Sequence, residues 1–411
     1  SVYGGGNKAI TNTPSVTTTN ATILKAIYGG GNEASILEDT SLNILDKTTV
    51  KGDIYGGGNA ALVDGDTNVL IKNAAISGNT YGGGNDGAVL GNATTKITDS
   101  TIGESVHAGG NGKTAVVVTG NEVDVSGKTV ITKHLFGGGN AAATGCENNF
   151  TSSGEAITCT NKNSAKSYVN IAGATISGNV YGGANTSVVY GETYVNIGIN
   201  TIEDVNDYQK DDIQIGGTVF GGGEANASGS ADYDFKFISV TKGININIDA
   251  ANHNNYTISG SIFGSGNASS SGGYSYVNIN NYGNGDNYKT NVSLQRADIV
   301  TINNSSIELL GATDRTNKYK NELFTFSRIK HLKLKNGSVL YLNKGVNLLE
   351  KYSSLVDIDG KEKNVEVTID KESKKVTKNG ENRIYMLEGK NLNISDDESL
   401  ATYGEVIGMT F

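Results

Sequence analysis

Hydrophobic residues in the repeat region of this chain come in short bursts without a helical period. The bursts are set by a recurring element, an aromatic residue followed by Gly-Gly-Gly-Asn or a near relative. It occurs nine times, led by Tyr3, Tyr28, Tyr55, Tyr81, His107, Phe136, Tyr181, Phe220 and Phe263. The gaps between leads are 25, 27, 26, 26, 29, 45, 39 and 43 residues, a near-constant unit that later accepts insertions. Directly before each aromatic stand Val2, Ile27, Ile54, Thr80, Val106, Leu135, Val180, Val219 and Ile262, and five before it Ile23, Val50, Ile76, Ile102, Ile131, Ile176, Ile215 and Ile258. Further upstream, apolar and polar positions alternate, as in Val169-Asn170-Ile171, Val195-Asn196-Ile197 and Val277-Asn278-Ile279. Downstream, apolar pairs such as Leu62-Val63, Val89-Leu90 and Val188-Val189 run into turns rich in Gly, Asp, Asn and Thr. A period of two marks strands. Each repeat therefore reads as three strands of about 3–5 residues separated by three turns.

Three strands in about 26 residues are too few for a propeller blade, which takes about 40–50 residues and four strands. Sandwich strands carry no such repetition. A parallel solenoid requires it, because each coil lies about 4.8 Å from the last and like residues stack on like. The expected fold is all-β, a right-handed parallel β-helix with three-strand solenoid rungs of about 26 residues, the hand following from the crossover rule. Regular rungs are expected over 1–290. An irregular β-helix continuation or cap is expected over 291–411, where the glycine motif stops but Ile299-Val300-Thr301-Ile302, Val339-Leu340-Tyr341-Leu342 and Val365-Glu366-Val367-Thr368-Ile369 still read as strands. One short helix is expected over 347–355.

Three successive glycines suit a turn, where positive φ and a missing Cβ let neighbouring coils approach. Stacked vertically, Asn7, Asn32, Asn59, Asn85, Asn111, Asn140, Asn185 and Asn267 would form an amide ladder. Glu224 interrupts the row and marks an irregular coil or a spot that accepts calcium. The aromatic row has two readings. Rings turned inward are core stacking; rings turned outward beside glycines form a ligand-binding strip on which sugars stack.

The only cysteines, Cys146 and Cys159, lie in a polar insertion over 145–167. A disulfide there would speak for an extracytoplasmic home, and two free thiols are the alternative. Loops over 204–212 and 226–234 gather carboxylates and asparagines. No cofactor is expected; calcium is the one ion these loops are composed to accept, although the spacing matches no defined site.

A net charge of −9 with no basic run argues against nucleic acid as a partner. No apolar stretch reaches the ~20 residues of a membrane span, so no membrane insertion of this segment is expected. The chain opens inside a repeat, Ser1-Val2-Tyr3-Gly4, as expected of one monomeric segment of a longer chain. Residues 1–295 contain no arginine, and His107, His134, His253 and His331 are scattered. Asp53, Asp64 and Asp66 fall in turns, where aspartate is common. No triad, cysteine nucleophile, phosphate loop or zinc spacing is visible. Threonines such as Thr17-Thr18-Thr19 do not persist as an ice-binding face, since Asn68, Val169 and Val195 replace them. No enzymatic activity is expected.

The V-Y-G-G-G-N element, with T-I-x-G-x just before it, resembles the pectin-lyase-like β-helix regions of large Gram-positive cell-surface, adhesin-like proteins. Leu294-Gln295-Arg296-Ala297-Asp298, Asn347-Leu348-Leu349 and Tyr403-Gly404-Glu405-Val406-Ile407-Gly408-Met409-Thr410-Phe411 look like the same group. The resemblance implies export, attachment to the cell wall through modules elsewhere in the protein, and an adhesin-type scaffold or stalk with a host-surface protein or glycan as partner. It carries over no catalytic residue. The alternative is a glycan-binding or polysaccharide-degrading β-helix, a lyase or hydrolase, since a fold does not fix an activity.

Overall fold

In the computed structural model every named element is a β-strand. The structure describes residues 1–160, 162–199, 211–224, 238–251, 253, 255–267, 269–283, 291–295, 297–309, 331–336 and 338–342, with the short segments 354–355, 365–368, 382–386 and 406–407. The strands form a parallel β-solenoid of about 10 turns. The chain divides into two compact units. The first is Ser1–Asn245, His253–Ser259 and Ser265–Gly273; the second is Ile246–Asn252, Gly260–Gly264 and Tyr274–Phe411.

Each coil of the first unit contributes one strand to each of three parallel sheets. The first sheet holds two-residue strands that end on the aromatic: Val2–Tyr3, Ile27–Tyr28, Ile54–Tyr55, Thr80–Tyr81, Val106–His107, Leu135–Phe136, Val180–Tyr181 and Val219–Phe220. The second holds the long strands Ser15–Thr19, Thr40–Leu45, Thr67–Lys72, Asn92–Thr98, Gly120–Ser126, Ala165–Ile171 and Gly191–Ile197. The third holds short strands from Thr22–Ile23 through Val130–Ile131 to Tyr256–Ile258. Register is residue on equivalent residue: Tyr3 on Tyr28, Val69 on Thr95, Ile102 on Ile131. Strand lengths depart from the even 3–5 residues expected. The downstream apolar pair, read as a strand, makes only one bridge per coil, in the row Thr11, Ile36, Val63, Val89, Val117, Thr144, Val189 and Val240. The chain turns a corner there, and one pairing per coil is all a corner accommodates.

The core is built of vertical aliphatic rows. Ile27, Ile54, Val106, Leu135 and Val180 form one, and Ile44, Ile71, Ile97, Val125, Ile171 and Ile197 another; all are fully buried. Inward hydroxyls cap the first carbonyl of the glycine turn: Thr40 Oγ1 donates to Gly56 O at 2.7 Å, Thr67 Oγ1 to Gly82 O at 2.8 Å, Ser167 Oγ to Gly182 O at 2.8 Å and Thr193 Oγ1 to Gly221 O at 2.6 Å. Such a partner offsets the cost of burying a hydroxyl, so these four polar residues tolerate the core. The glycine requirement is steric. A Cβ on Gly56 would lie 2.1 Å from Gly82 O, and one on Gly83 2.8 Å from Gly110 N. After the long strands the chain turns through a left-handed residue, Asn20, Asp46, Asn73, Asp99 or Gly127, residue types that adopt positive φ at low cost.

In the second unit, Ser275–Asn280, Ile299–Asn303, His331–Lys335 and Ser354–Leu355 pair in sequence as one parallel series. Ser261–Phe263, Asn291–Gln295, Ser306–Leu309, Val339–Leu342 and Asn382–Met386 pair as another. Its turns carry their own amide chain: Asn304 Nδ2 donates to Asn281 Oδ1 at 2.6 Å, and Asn281 Nδ2 to Asp249 Oδ1 at 2.8 Å. Of the helix expected over 347–355, only Ser354–Leu355 is described, and it is strand. Among the described residues no helix is long and apolar enough to cross a membrane.

Candidate functional site

The aromatic residues form a continuous column. Consecutive rings from Tyr3 through Tyr28, Tyr55, Tyr81, His107, Phe136 and Tyr181 to Phe220 stack with centroids 4.6–5.0 Å apart and planes within 12° of parallel. Each ring follows a core-facing residue by one position and so points away from the solenoid interior, yet Tyr28 to Phe220 are at most 8% exposed. The stacked neighbours cover both faces. Burial pushes the Tyr28 and Tyr81 phenols up to about 12, helped by nearby phenols and carboxylates, and raises Tyr55 and Tyr181 further. Tyr55 Oη donates to Asp53 Oδ2 at 3.3 Å, and Tyr181 Oη accepts from Asn179 Nδ2 at 2.9 Å. The expectation of an outward strip for sugars needs this correction: a sugar stacks on an open ring face, and these faces are occupied. Tyr3 is half-buried, as is Phe263, which belongs to the second unit.

His107 fits the column only as a neutral ring. It lies between Tyr81 and Phe136, 3% exposed, its Nδ1 without a hydrogen-bond partner. Burial, reinforced by His134, lowers it to about 3.

The expected amide ladder runs through Asn7, Asn32, Asn59, Asn85, Asn111, Asn140 and Asn185, each Nδ2 donating to the preceding Oδ1 at 2.6–2.9 Å. At Glu224 the carboxylate instead receives the Tyr181 hydroxyl at 3.3 Å. A second ladder, not anticipated, occupies the position two residues before the aromatic. Asp53 Oδ1 accepts from Asn79 N, Asn79 Oδ1 from Ser105 N, Ser105 Oγ from His134 N, His134 Nδ1 from Asn179 N and Asn179 Oδ1 from Thr218 N, at 2.7–3.3 Å. Its signal in the sequence is any short acceptor side chain at that position, a class rather than a residue.

The outward face of the long-strand sheet holds a pair of neighbouring carboxylates. Glu122 and Asp124 lie on the same face of one strand, and Asn170 Nδ2 from the next coil donates to both, at 3.0 Å to Glu122 Oε1 and 2.8 Å to Asp124 Oδ1. Asn196 Nδ2 in turn donates to Asn170 Oδ1 at 2.8 Å. Asp124 and Asn170 are buried and Glu122 half-buried. Burial raises both carboxyls; Asp124 adds to the rise at Glu122, while Lys96 and Asn170 pull both back. Beside them Tyr168 stacks on Tyr194 at 4.7 Å, Tyr194 Oη donates to Glu192 Oε2 at 2.7 Å, and Lys166 Nζ sits 5.9 Å from the Tyr194 ring centre. Carboxyls with a raised affinity for the proton, amides and half-buried phenol rings are the groups that bind a hydroxylated ligand. The aspartates noted from sequence do not converge: Asp53 and Asp66 accept turn amides, and Asp64 is raised by its burial and, less, by Glu155.

Among the described residues no group of three or more His, Cys, Asp or Glu is placed to hold a metal. The calcium loops expected over 204–212 and 226–234 lie outside the described residues except for Asp211 and Asp212, where Asn255 Nδ2 donates to Asp212 at 3.0 Å.

Cys146 and Cys159 form a disulfide. The insertion it closes is not the free polar loop its composition suggests. Phe150–Ser152 and Glu155–Ile157 pair as an antiparallel hairpin with Ile157 buried and Phe150 half-buried against residues of earlier coils.

Compared with known proteins, the chain matches no family model, no curated protein and no solved structure.

Proposed function

We propose that this chain is a scaffold or stalk segment of a larger exported protein of the adhesin type, held at the cell wall and presenting attachment surfaces on its faces and loops. One observation carries the reading. The repeated aromatic and asparagine positions of the first unit are spent on coil-to-coil contacts, so the repeat is built for extension and not for a ligand. The disulfide supports an oxidising, extracellular location, because cytosolic thiols stay reduced. The partner is a host-surface protein or glycan met on an outer face or loop. Beads coated with the purified chain test this: adherence to host-cell monolayers above that of beads carrying an inert protein is expected, and adherence equal to that control refutes the attachment role.

A second reading, glycan binding with lyase or hydrolase action, is favoured by the patch of Glu122, Asp124 and Asn170 with Tyr168 and Tyr194 beside it. Signal on a glycan array that is lost in Glu122→Gln, or polysaccharide cleavage seen as reducing ends or unsaturated products, supports this reading over the scaffold. Silence in these assays removes it.

A further inference from the structure

The flank at the single-bridge row carries outward apolar side chains in successive coils, and their fate depends on what lies over them. Where the 146–159 hairpin lies over the flank, Leu62 is 2% exposed, Val116 7% and Val118 4%; in the coil met only by Glu155 at the hairpin turn, Leu37 is 47% exposed, and one coil further Ile10 on the same flank is 64% exposed. Ile157 packs with Leu62 and Ala88, and the two cysteines with Val116 and Val118, while Phe150 and Leu90 border both clusters. Polar contacts seat the hairpin as well. Ser152 Oγ accepts from Ala88 N at 2.9 Å and donates to Thr114 O at 3.0 Å, and Ser35 Oγ donates to Glu155 Oε1 at 3.3 Å across 120 residues of sequence. One hairpin thus contacts four earlier coils, and its base is closed by a disulfide.

We propose that this hairpin is a redox-latched strap. With the disulfide formed it seals an apolar strip on the solenoid flank; with the disulfide reduced it lifts and opens the strip. Three pairing residues on each side make too short a ribbon to hold shape alone, so the covalent closure at its base is what keeps the strap compact enough to stay seated. With dithiothreitol as reductant, a thiolate attacks one cystine sulfur, the S–S bond breaks and the other cysteine leaves as a thiolate; the second reductant thiolate then attacks the reductant's sulfur in the mixed disulfide and expels the remaining cysteine. Two cysteine thiols remain and the reductant leaves as its cyclic disulfide.

Hydrogen exchange on the intact chain, with thiol alkylation to count reduced cysteines, tests the proposal. In the reduced chain the Ala88 amide is expected to exchange about tenfold faster or more, as for a local opening, and a hydrophobic dye to bind, with Gly29 and Gly56, which donate to Tyr55 and Tyr81 carbonyls, unchanged. Unchanged exchange at Ala88 in fully alkylated protein overturns the proposal. Equal acceleration at Gly29 and Gly56 overturns it too, since the bond would then be a general staple. Ile157→Asp with the disulfide intact is expected to unseat the strap and speed Ala88; continued protection there would refute the apolar seat.

Discussion

Replacing His107 with phenylalanine is expected to stabilise the solenoid, and the gain is expected to grow as the solution is acidified. His107 is the one non-phenyl ring in the stack from Tyr3 to Phe220, and its buried Nδ1 lacks a partner. Phenylalanine fits because the same column already holds Phe136 and Phe220 at the same spacing. At neutral pH, removing an unsatisfied buried polar atom contributes about 1–3 kcal/mol. The pH dependence follows from linkage. The folded histidine stays neutral down to about pH 3, whereas the unfolded one takes up a proton near 6.5, so the unfolded state binds more protons throughout that window. The wild-type chain therefore loses stability as pH falls from about 6.5 towards 3. At pH 5, about 1.5 pH units below the ordinary histidine value, the loss from this residue is about 2 kcal/mol. Thermal unfolding followed by circular dichroism, with hydrogen exchange of the Ala108 amide, measures the difference between the two proteins at pH 7.5, 6 and 5. Other titrating groups are common to both and cancel to first order. Parallel pH profiles for wild type and His107→Phe would refute the argument, because they would mean that His107 is solvated enough to protonate in the folded chain.

Asn85→Ala removes one donor and one acceptor from the amide ladder and strands Asn59 Oδ1 and Asn111 Nδ2; a loss of about 1–3 kcal/mol is expected, read as faster exchange in the two adjoining coils. Gly83→Ala places a Cβ 2.8 Å from Gly110 N, so a lower Tm is expected, whereas Gly154→Ala, with no atom within 4 Å of the new Cβ but φ at +81°, is expected to cost about 1 kcal/mol from backbone strain alone. Asp124→Asn is expected to raise Tm at neutral pH. The Asp124 carboxyl is raised by burial, so its ionised form destabilises the fold as pH rises through the folded value, and the gain in the variant should vanish below about pH 4, where the unfolded aspartate is also protonated.

Much of the architecture was legible along the chain because a parallel solenoid converts sequence spacing directly into vertical register. Near-equal gaps between Tyr28, Tyr55 and Tyr81 place the rings over one another, and the same spacing aligns Asn32, Asn59 and Asn85 into the ladder observed. Aliphatic residues five positions before the aromatic became the inward residues of the short-strand sheet, and the glycines mark where coils approach too closely for a Cβ.

What the chain alone left open were contacts whose distance in sequence carries no period. Whether outward rings meet solvent depends on how completely their neighbours cover them, which took the coil spacing and the full stack to decide. Glu122, Asp124 and Asn170 converge across an insertion that leaves Asp124 and Asn170 46 residues apart, against 26 between regular neighbours such as Asn59 and Asn85, so no fixed spacing announces them. The hairpin looked like a polar loop because its few apolar residues, Phe150 and Ile157, gain meaning only against Leu62, Ala88 and Leu90 on coils made far earlier. Repetition thus determined the register of the coils, since each equivalent residue must lie over the last, while burial, proton affinity and the seating of the insertion are properties of surfaces that exist only once the coils are stacked.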